Sequence, residues 1–145
     1  EGSPVQTFPG GQAMDSDEIV GVKCDIWIPA ARPDVLTENN VDQLKARLVI
    51  HGANIPATET AEQLMHKRGI LNIPDFIANA GGVICAAVEF SGGSESQVMD
   101  TIGEKIRTNT LETLERSKRE NLSPREAGVK MALSRIERAM ADSDT

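Results

Sequence analysis

The chain has 145 residues, 39% of them hydrophobic, and a formal net charge of −7. A chain of this length can form one domain with a core, because it buries roughly 70% of its unfolded surface. The 22 acidic against 15 basic residues disfavour binding to nucleic acid or to an anionic membrane surface. The apolar stretches fall short of the about 20 residues that a spanning helix needs, so the composition predicts a soluble, cytoplasmic protein.

Three apolar, β-branched runs predict an α/β domain whose sheet has three parallel strands in sequential order, at about residues 25–29, 47–51 and 70–74. Their even spacing leaves room for a strand, a helix and two tight loops, which is a compact βα unit. Because the apolar residues are continuous rather than alternating, both faces of these strands are expected to be covered by helices.

The segments that follow the first two strands predict helices. Thr37 is predicted to cap a helix over residues 38–46, and Thr58 a helix over residues 59–68 that ends at Gly69. In the first of these helices, Val41 and Leu44 would supply the apolar stripe.

After the third strand the pattern predicts helices only. An apolar helix over residues 83–90 precedes a capping box at Ser94 and Gln97, which opens a long helix to about Asn121. Ser123 then begins a last helix, and its predicted apolar face consists of Val129, Ala132, Leu133, Ile136 and Met140.

Each predicted strand ends in small or amide residues: Pro29-Ala30-Ala31, Gly52-Ala53-Asn54, and the stretch 74–82. In open parallel sheets the ligand lies beyond the carboxyl ends of the strands, where small residues let it approach the backbone. Any one of these loops is better explained as an ordinary turn. Three in succession favour a ligand site.

These same residues carry a resemblance to a family. The runs 24–31, 49–54 and 73–83 resemble the glutamate/leucine/phenylalanine/valine dehydrogenases, most of all glutamate dehydrogenase, and the likeness extends from Phe8 to Met140. It implies an incomplete Rossmann-like domain that uses NAD or NADP to deaminate an amino acid, with glutamate as first choice, to a 2-oxo acid and ammonium. It also implies a homo-oligomer and an amino-terminal substrate domain as partner.

The resemblance assigns roles to seven positions. It implies cofactor contacts at Ala30, Ala31, Asn54 and Asn79. Asn54 would contact the nicotinamide-side ribose, and Asn79 would hold the nicotinamide carboxamide. The substrate would be bordered by Gly82, Val83 and Ala86. No catalytic residue is assigned, because the family's catalytic Lys and Asp belong to the substrate domain.

Two departures from the family's pattern concern specificity and charge. Ala86 stands where glutamate-specific relatives carry a Ser, so the pocket favours an apolar side chain or the other domain holds the substrate's distal carboxylate. His51 replaces the Glu that usually precedes Gly-Ala-Asn, which changes the charge beside the cleft. Asp75 and Glu89 lie near that cleft and could pair or titrate there, but a capping or solvated role is favoured.

Cysteine and histidine spacing predicts no metal site. Cys24 and Cys85 form no CxxC pair and are expected to be reduced, structural thiols. His51 and His66 have no second ligand at i+3 or i+4.

The 145 residues contain neither a G-x-G-x-x-G turn nor the acidic residue that reads the ribose. We therefore interpret residues 1–93 as the second half of a dinucleotide-binding domain and residues 94–145 as a helical extension packed on it. The opening residues 1–4 resemble a boundary within a longer protein. The 145 residues alone are expected to be inactive and to bind the cofactor weakly.

The first strand, residues 26–28, would lack the neighbour that it has in the family. An unpaired apolar edge predicts self-association through this strand, or a cover made by residues 5–10. The alternative function is a non-catalytic α/β module for protein interaction or oligomerisation.

Overall fold

The structure is a computed structural model that describes residues 7–143. Its sheet contains three parallel strands: β1 (Ile26–Trp27), β2 (Leu48–Ile50) and β3 (Leu71–Ile73). Their order is β1-β2-β3, and Leu48 of β2 lies in register with Ile26 and with Leu71. The predicted sheet is confirmed, although each strand is shorter than the sequence suggested.

The described residues also form five α-helices: α1 (Glu59–Lys67), α2 (Asp75–Ala78), α3 (Gly81–Phe90), α4 (Glu95–Glu120) and α5 (Pro124–Ser143). Short 3-10 helices are present at Glu18–Gly21 and Val41–Gln43. No helix between residues 7 and 143 combines the length and the apolar character that crossing a membrane requires.

Helices α4 and α1 begin where the sequence predicted, because their caps form. The Ser94 N–H donates to Gln97 Oε1 at 2.7 Å, and the Ser94 hydroxyl accepts from the Gln97 N–H, which completes the capping box. In α1, Thr58 Oγ1 accepts from the Ala61 N–H at 3.2 Å. Gly69, with a φ of 73°, follows the end of α1 in the left-handed conformation that favours glycine.

The predicted helix over residues 38–46 is wrong. Only the single 3-10 turn Val41–Gln43 forms, and the next residue, Leu44, is extended. The Asn40 side chain explains this result, since its Oδ1 accepts from the Thr37 N–H and its Nδ2 donates to the Val35 carbonyl, both at 2.9 Å. Such local bonds compete with the helical ladder. Val41 and Leu44 are nevertheless buried, as the apolar stripe predicted.

Two cores lie on opposite faces of the sheet. Val49 of β2 packs into the first core, under α1, with Leu36, Ala61 and Met65. The neighbouring β2 residues Leu48 and Ile50 pack into the second core, whose buried members are Ile73, Ile77 and Met131. Helices therefore cover both faces at β2 and β3. The expectation of two covered faces is wrong for β1, because Ile26 and Ile28 are 52% and 57% exposed.

Helix α5 buries a different face from the one predicted. Val129, Ala132, Leu133, Ile136 and Met140 are all exposed, whereas the buried residues are Pro124, Ala127, Gly128 and Met131. The reason is the close approach of α5 to α2, since a Cβ built on Gly128 would lie 2.9 Å from Phe76 Cε2. The small residues of α5 set its orientation, and the large apolar residues of the predicted face are turned outward.

Two glycines within helices should respond oppositely to alanine. A Cβ on Gly103 in α4 would meet nothing within 4 Å, so Gly103→Ala is expected to raise the free energy of unfolding by about 1 kcal/mol through helix propensity alone. Gly128→Ala is expected to lower it by about 1 kcal/mol, because the methyl group overlaps the Phe76 ring. Urea unfolding of both variants measures the difference, and equal stabilisation would contradict the packing at Phe76.

The outer side of β1 is the edge of the described sheet. Of the residues suggested as its cover, Phe8 is exposed, and residues 5 and 6 lie outside the described residues. Self-association or cover at this edge therefore stays a prediction.

We expect the chain to dimerise in light scattering coupled to gel filtration, and Ile28→Lys to weaken the dimer about ten-fold, equivalent to about 1.4 kcal/mol. Thr60→Lys, at an exposed polar position of α1, is the control that should leave the dimer intact. If the intact chain is monomeric, removal of residues 1–10 should produce the dimer. Monomers in both cases would refute the edge hypothesis.

Candidate functional site

The carboxyl ends of β1 and β2 lie against each other. The N–H groups of Gly52 and Ala53 donate to the Pro29 carbonyl at 3.0 and 2.8 Å. A Cβ built on Gly52 would lie 3.0 Å from Ala30 Cβ, so a side chain at position 52 would require Ala30 to move by a few tenths of an ångström. Ala31, the other predicted cofactor contact on this loop, is exposed directly after Ala30.

Two asparagines join the ends of β2 and β3. Asn79 Nδ2 donates to Asn54 Oδ1 at 2.7 Å and reaches the Gly52 carbonyl at 3.5 Å. Asn79 itself is the C-cap of α2, where its N–H donates to the Asp75 carbonyl at 2.8 Å. Within residues 7–143, Asn54 Nδ2 and Asn79 Oδ1 have no hydrogen-bond partner. The pair thus offers one amide donor and one amide acceptor to a ligand.

A cleft of about 540 Å³ opens beside this pair. Its lining residues are Asn54, Asp75, Phe76, Asn79, Ala80, Gly82 and Val83. Four of the seven predicted site residues therefore share one cleft. Ala86 does not line it; this residue is exposed on α3, one helical turn beyond Gly82.

A second cleft, of about 680 Å³, lies between α3 and α4 and shares Val83 with the first. It is larger, yet its remaining residues come from the two helices and the loop between them and not from the strand ends. We place the candidate site in the smaller cleft, because ligands of open parallel sheets bind where the carboxyl ends of the strands converge.

A buried charged cluster lies beside the candidate site. Arg125 at the start of α5 donates from Nε to Glu62 Oε2 at 2.5 Å and from Nη2 to Glu62 Oε1 at 2.7 Å. The same Nη2 donates to Asp75 Oδ1 at 3.0 Å. Both carboxylates are almost fully buried, at 5% and 8% exposure. Two buried anions require such a cation, since an unpaired buried charge is strongly destabilising.

The interpretation of Asp75 as a capping or solvated residue is therefore wrong. Its Oδ2 also accepts from the Ile55 N–H at 2.8 Å. Burial alone would raise the pKa of Asp75, but the Ile55 N–H and the Arg125 guanidinium outweigh burial and hold this pKa below its usual value. Asp75 is thus an anion that ties the loop after β2 to the beginning of α5.

Sequence reasoning missed Arg125 and Glu62 altogether. Arg125 is 63 residues from Glu62 and 50 from Asp75, and no periodicity links positions so far apart. The available signal was indirect: Glu62 lies on the face of α1 that carries Ala61 and Met65, where a charged residue needs a partner.

His51 is fully buried between the cores and the charged cluster. Neither ring nitrogen has a hydrogen-bond partner within the described residues, and Nδ1 lies 3.7 Å from Glu62 Oε1. Burial lowers the pKa of His51 to about 4, with Asp75 raising it and Arg125 lowering it. The ring is therefore uncharged at neutral pH. At position 51 the chain therefore carries an uncharged side chain at neutral pH, in place of the acidic side chain that is usual there.

Among residues 7–143, no group of three or more His, Cys, Asp or Glu side chains is arranged to hold a metal ion. Cys24 and Cys85 are free thiols.

The chain is similar in sequence to known proteins. The sequence pattern of the Glutamate/Leucine/Phenylalanine/Valine dehydrogenase family matches residues 1–143. The chain belongs to this dehydrogenase family. It is 34% identical to the glutamate dehydrogenase of Aeropyrum pernix and 35% identical to the NADP-specific glutamate dehydrogenase of Saccharolobus shibatae. The alignments cover 94% of this chain but 35% and 34% of those proteins, so the chain spans about a third of their length.

Solved structures place this member of the dehydrogenase family in the same fold. The L-tryptophan dehydrogenase from Nostoc punctiforme superposes with a TM-score of 0.84 at 25% identity, over 96% of this chain and 43% of that one. The hetero-hexameric glutamate dehydrogenase from Thermus thermophilus gives 0.77 at 21% identity, over 90% and 33%. The predicted Rossmann-like architecture and the family resemblance are confirmed.

Proposed function

We propose that this chain supplies the nicotinamide-side half of the cofactor site of an NAD(P)-dependent amino-acid dehydrogenase. The observation that carries the proposal is the bonded pair Asn54–Asn79, which lies in the cleft where the ends of β2 and β3 converge. Residues 1–93 would form the second half of the dinucleotide-binding domain. Residues 94–145 would form its helical extension, whose Arg125 contacts two residues that line the cleft, Asp75 and Phe76.

The lining residues fit the nicotinamide end of such a cofactor. A carboxamide both donates and accepts hydrogen bonds, and the Asn54 amide nitrogen and the Asn79 amide oxygen can answer both needs. Space is also available, since a Cβ on Gly82 would meet nothing within 4 Å. When bound, NAD(P) supplies the hydride acceptor. The task of these residues is to orient one face of the ring toward the amino acid.

Ala30 and Ala31 would form the cofactor's other contacts, because their small side chains leave the backbone at the end of β1 open to approach. Gly82, Val83 and Ala86 would border the substrate. Val83 is 78% exposed, which suits a surface completed by an amino-terminal substrate domain. That domain would contribute the catalytic groups, and no catalytic residue is proposed here.

The proposed substrate is an amino acid, converted to a 2-oxo acid and ammonium, with glutamate favoured by the names of the related sequences. Ala86 cannot donate a hydrogen bond to the distal carboxylate of glutamate, so that carboxylate would be held by the other domain. The parent enzyme would be a homo-oligomer. The Thermus thermophilus protein of this fold is named as a hetero-hexamer.

Titration of the ¹⁵N-labelled chain with NADH or NADPH tests the cofactor proposal. We expect the Asn54 and Asn79 side-chain amide signals to shift, with a dissociation constant of about 1 mM or weaker, because the pyrophosphate-binding turn is not among these residues. Asn79→Ala should abolish the shift of Asn54, whereas Asn39→Ala, in an exposed loop elsewhere, should preserve it. Unchanged asparagine signals in the intact chain would refute the proposal, and sub-millimolar binding would refute the expected weakness.

The non-catalytic interaction module is the second candidate, and the exposed apolar face of α5 is the observation that favours it. The gene that encodes the chain discriminates the two. A G-x-G-x-x-G strand-turn-helix unit and a Lys-bearing glycine-rich segment upstream of Glu1 would support the enzyme.

A further inference from the structure

Arg125 is connected to the asparagine pair by a short series of contacts. Its Nη2 donates to Asp75 Oδ1, and Asp75 Oδ2 in turn accepts from the Ile55 N–H. Ile55 directly follows Asn54 in the chain, and Asn54 accepts from Asn79. One carboxylate therefore lies between the guanidinium of α5 and the loop that carries half of the asparagine pair.

The loop at Ile55 needs this support. Ile55 has a φ of 48°, in the left-handed region, which is a true outlier for a β-branched residue. Such a conformation is strained for a branched side chain and persists only where the surroundings enforce it. Two hydrogen bonds do so here, because the Ile55 N–H donates to Asp75 and the Ile55 carbonyl accepts from the Asp34 N–H at 2.9 Å.

Arg125 also contacts a second residue that lines the cleft. Its guanidinium lies over the Phe76 ring, 5.3 Å from the centroid. Asp75 and Phe76 are the first residues of α2, the helix that Asn79 ends, and both line the cleft. Arg125 thus contacts one end of α2, and the asparagine pair forms at the other.

Glu62 holds Arg125 in the orientation that this arrangement requires. A planar guanidinium can donate to Glu62 through Nε and Nη2 while Nη2 also reaches Asp75, whereas an ammonium group lacks this fork. The charge alone is therefore insufficient, and the geometry of arginine matters.

We propose that Arg125 is a positioning residue for cofactor binding: through Asp75 it fixes the strained Ile55 loop and so sets the Asn54–Asn79 pair in place. The proposal deepens the proposed function and rests on it. It assigns to the carboxy-terminal helix a role at the nicotinamide end of the cleft, although no atom of that helix lines the cleft.

The test uses Arg125→Lys, which keeps the charge but loses the fork, and Arg135→Lys as the matched control. Arg135 lies on the same helix and pairs with Asn109 and Glu112 at the surface. Two properties of the ligand-free chain are measured by NMR: hydrogen exchange of the Ile55 N–H and the frequency of the Asn79 side-chain amide. The Leu71 N–H, bonded to the Arg47 carbonyl at 3.0 Å in the sheet, is the reference for global stability.

We expect Arg125→Lys to accelerate exchange at Ile55 about ten-fold relative to Leu71 and to move the Asn79 signal, with neither change in Arg135→Lys. Asp75→Asn should give the same two changes while the Arg125–Glu62 pair stays intact. This second variant tests the role of Arg125 even if Arg125→Lys folds poorly. Equal acceleration at Ile55 and Leu71, or an unmoved Asn79 signal in both variants, would overturn the proposal.

Measurements on the same samples distinguish the positioning role of Arg125 from the proposed cofactor binding. NADH added to the unsubstituted chain reports on the proposed function alone, through the Asn54 and Asn79 shifts. In Arg125→Lys, we expect at least a three-fold weaker response to NADH than in Arg135→Lys. If the unsubstituted chain does not respond, the proposed function fails, and the exchange data still decide whether Arg125 positions the pair.

Discussion

Arg125→Met is expected to lower the free energy of unfolding by about 3 kcal/mol at neutral pH, because it leaves Glu62 buried without its cation. Glu62 is 5% exposed and receives two of the three hydrogen bonds that Arg125 makes. The Arg125 side chain is 30% exposed, so solvent screening places the expected loss at the lower end of the range for buried pairs. Urea unfolding followed by circular dichroism measures this loss.

A double-mutant cycle separates the ion pair from the packing. Glu62→Leu combined with Arg125→Met should recover about 2 kcal/mol of the loss, since two apolar side chains leave no buried charge at position 62. Arg135→Met is the control for the helix, because its partner Glu112 is exposed and its loss should cost less than about 1 kcal/mol. Purely additive effects of the two substitutions would show that Arg125 and Glu62 are not coupled.

Acid should destabilise the chain through His51. The pKa of His51 is about 4 in the folded chain against 6.5 for an ordinary histidine, so the unfolded chain binds the proton more readily. The stability is therefore fully present above about pH 6.5 and is lost as the pH falls toward 4. Between pH 7 and pH 5, the unfolding free energy should fall by about 2 kcal/mol from this residue.

His51→Leu removes the titrating group and should flatten the dependence on pH over this interval. His66→Leu, at an exposed position of α1, is the matched substitution. Urea unfolding at pH 7, 6 and 5 compares the three proteins. A steep profile that survives in His51→Leu would assign the acid sensitivity to another group.

Local signals in the sequence were sufficient for much of the fold. The capping box at Ser94 and Gln97 and the cap at Thr58 each depend on residues three positions apart, and both form as predicted. The failed helix over residues 38–46 was also decided locally, by the Asn40 side chain, but its bond to the Val35 carbonyl has no simple sequence signature. The face of α5 could not be predicted, because it depends on the fit of Gly128 against Phe76, which is a tertiary contact.

In the candidate site, too, local sequence signals predicted some residues and tertiary contacts decided others. Small and amide residues at successive strand ends predicted a ligand site, and Asn54 and Asn79 do meet at 2.7 Å. The roles of these two residues at a cofactor stay a prediction. Arg125 was not predicted as a site residue because it lies within the helix start formed by Ser123 and Glu126, which accounts for this segment of the sequence. Only the packing of α5 on α2 brings it to Asp75.

Arg125 reaches its partners late during synthesis. Fifty residues separate it from Asp75 and 63 from Glu62, so at ribosomal rates roughly 3 to 10 seconds pass between translation of the aspartate and of the arginine. Until then, neither acid has the cation with which it pairs in the folded chain. Ribosome-bound chains that stop before α5 should therefore be degraded by proteases faster than chains that include it.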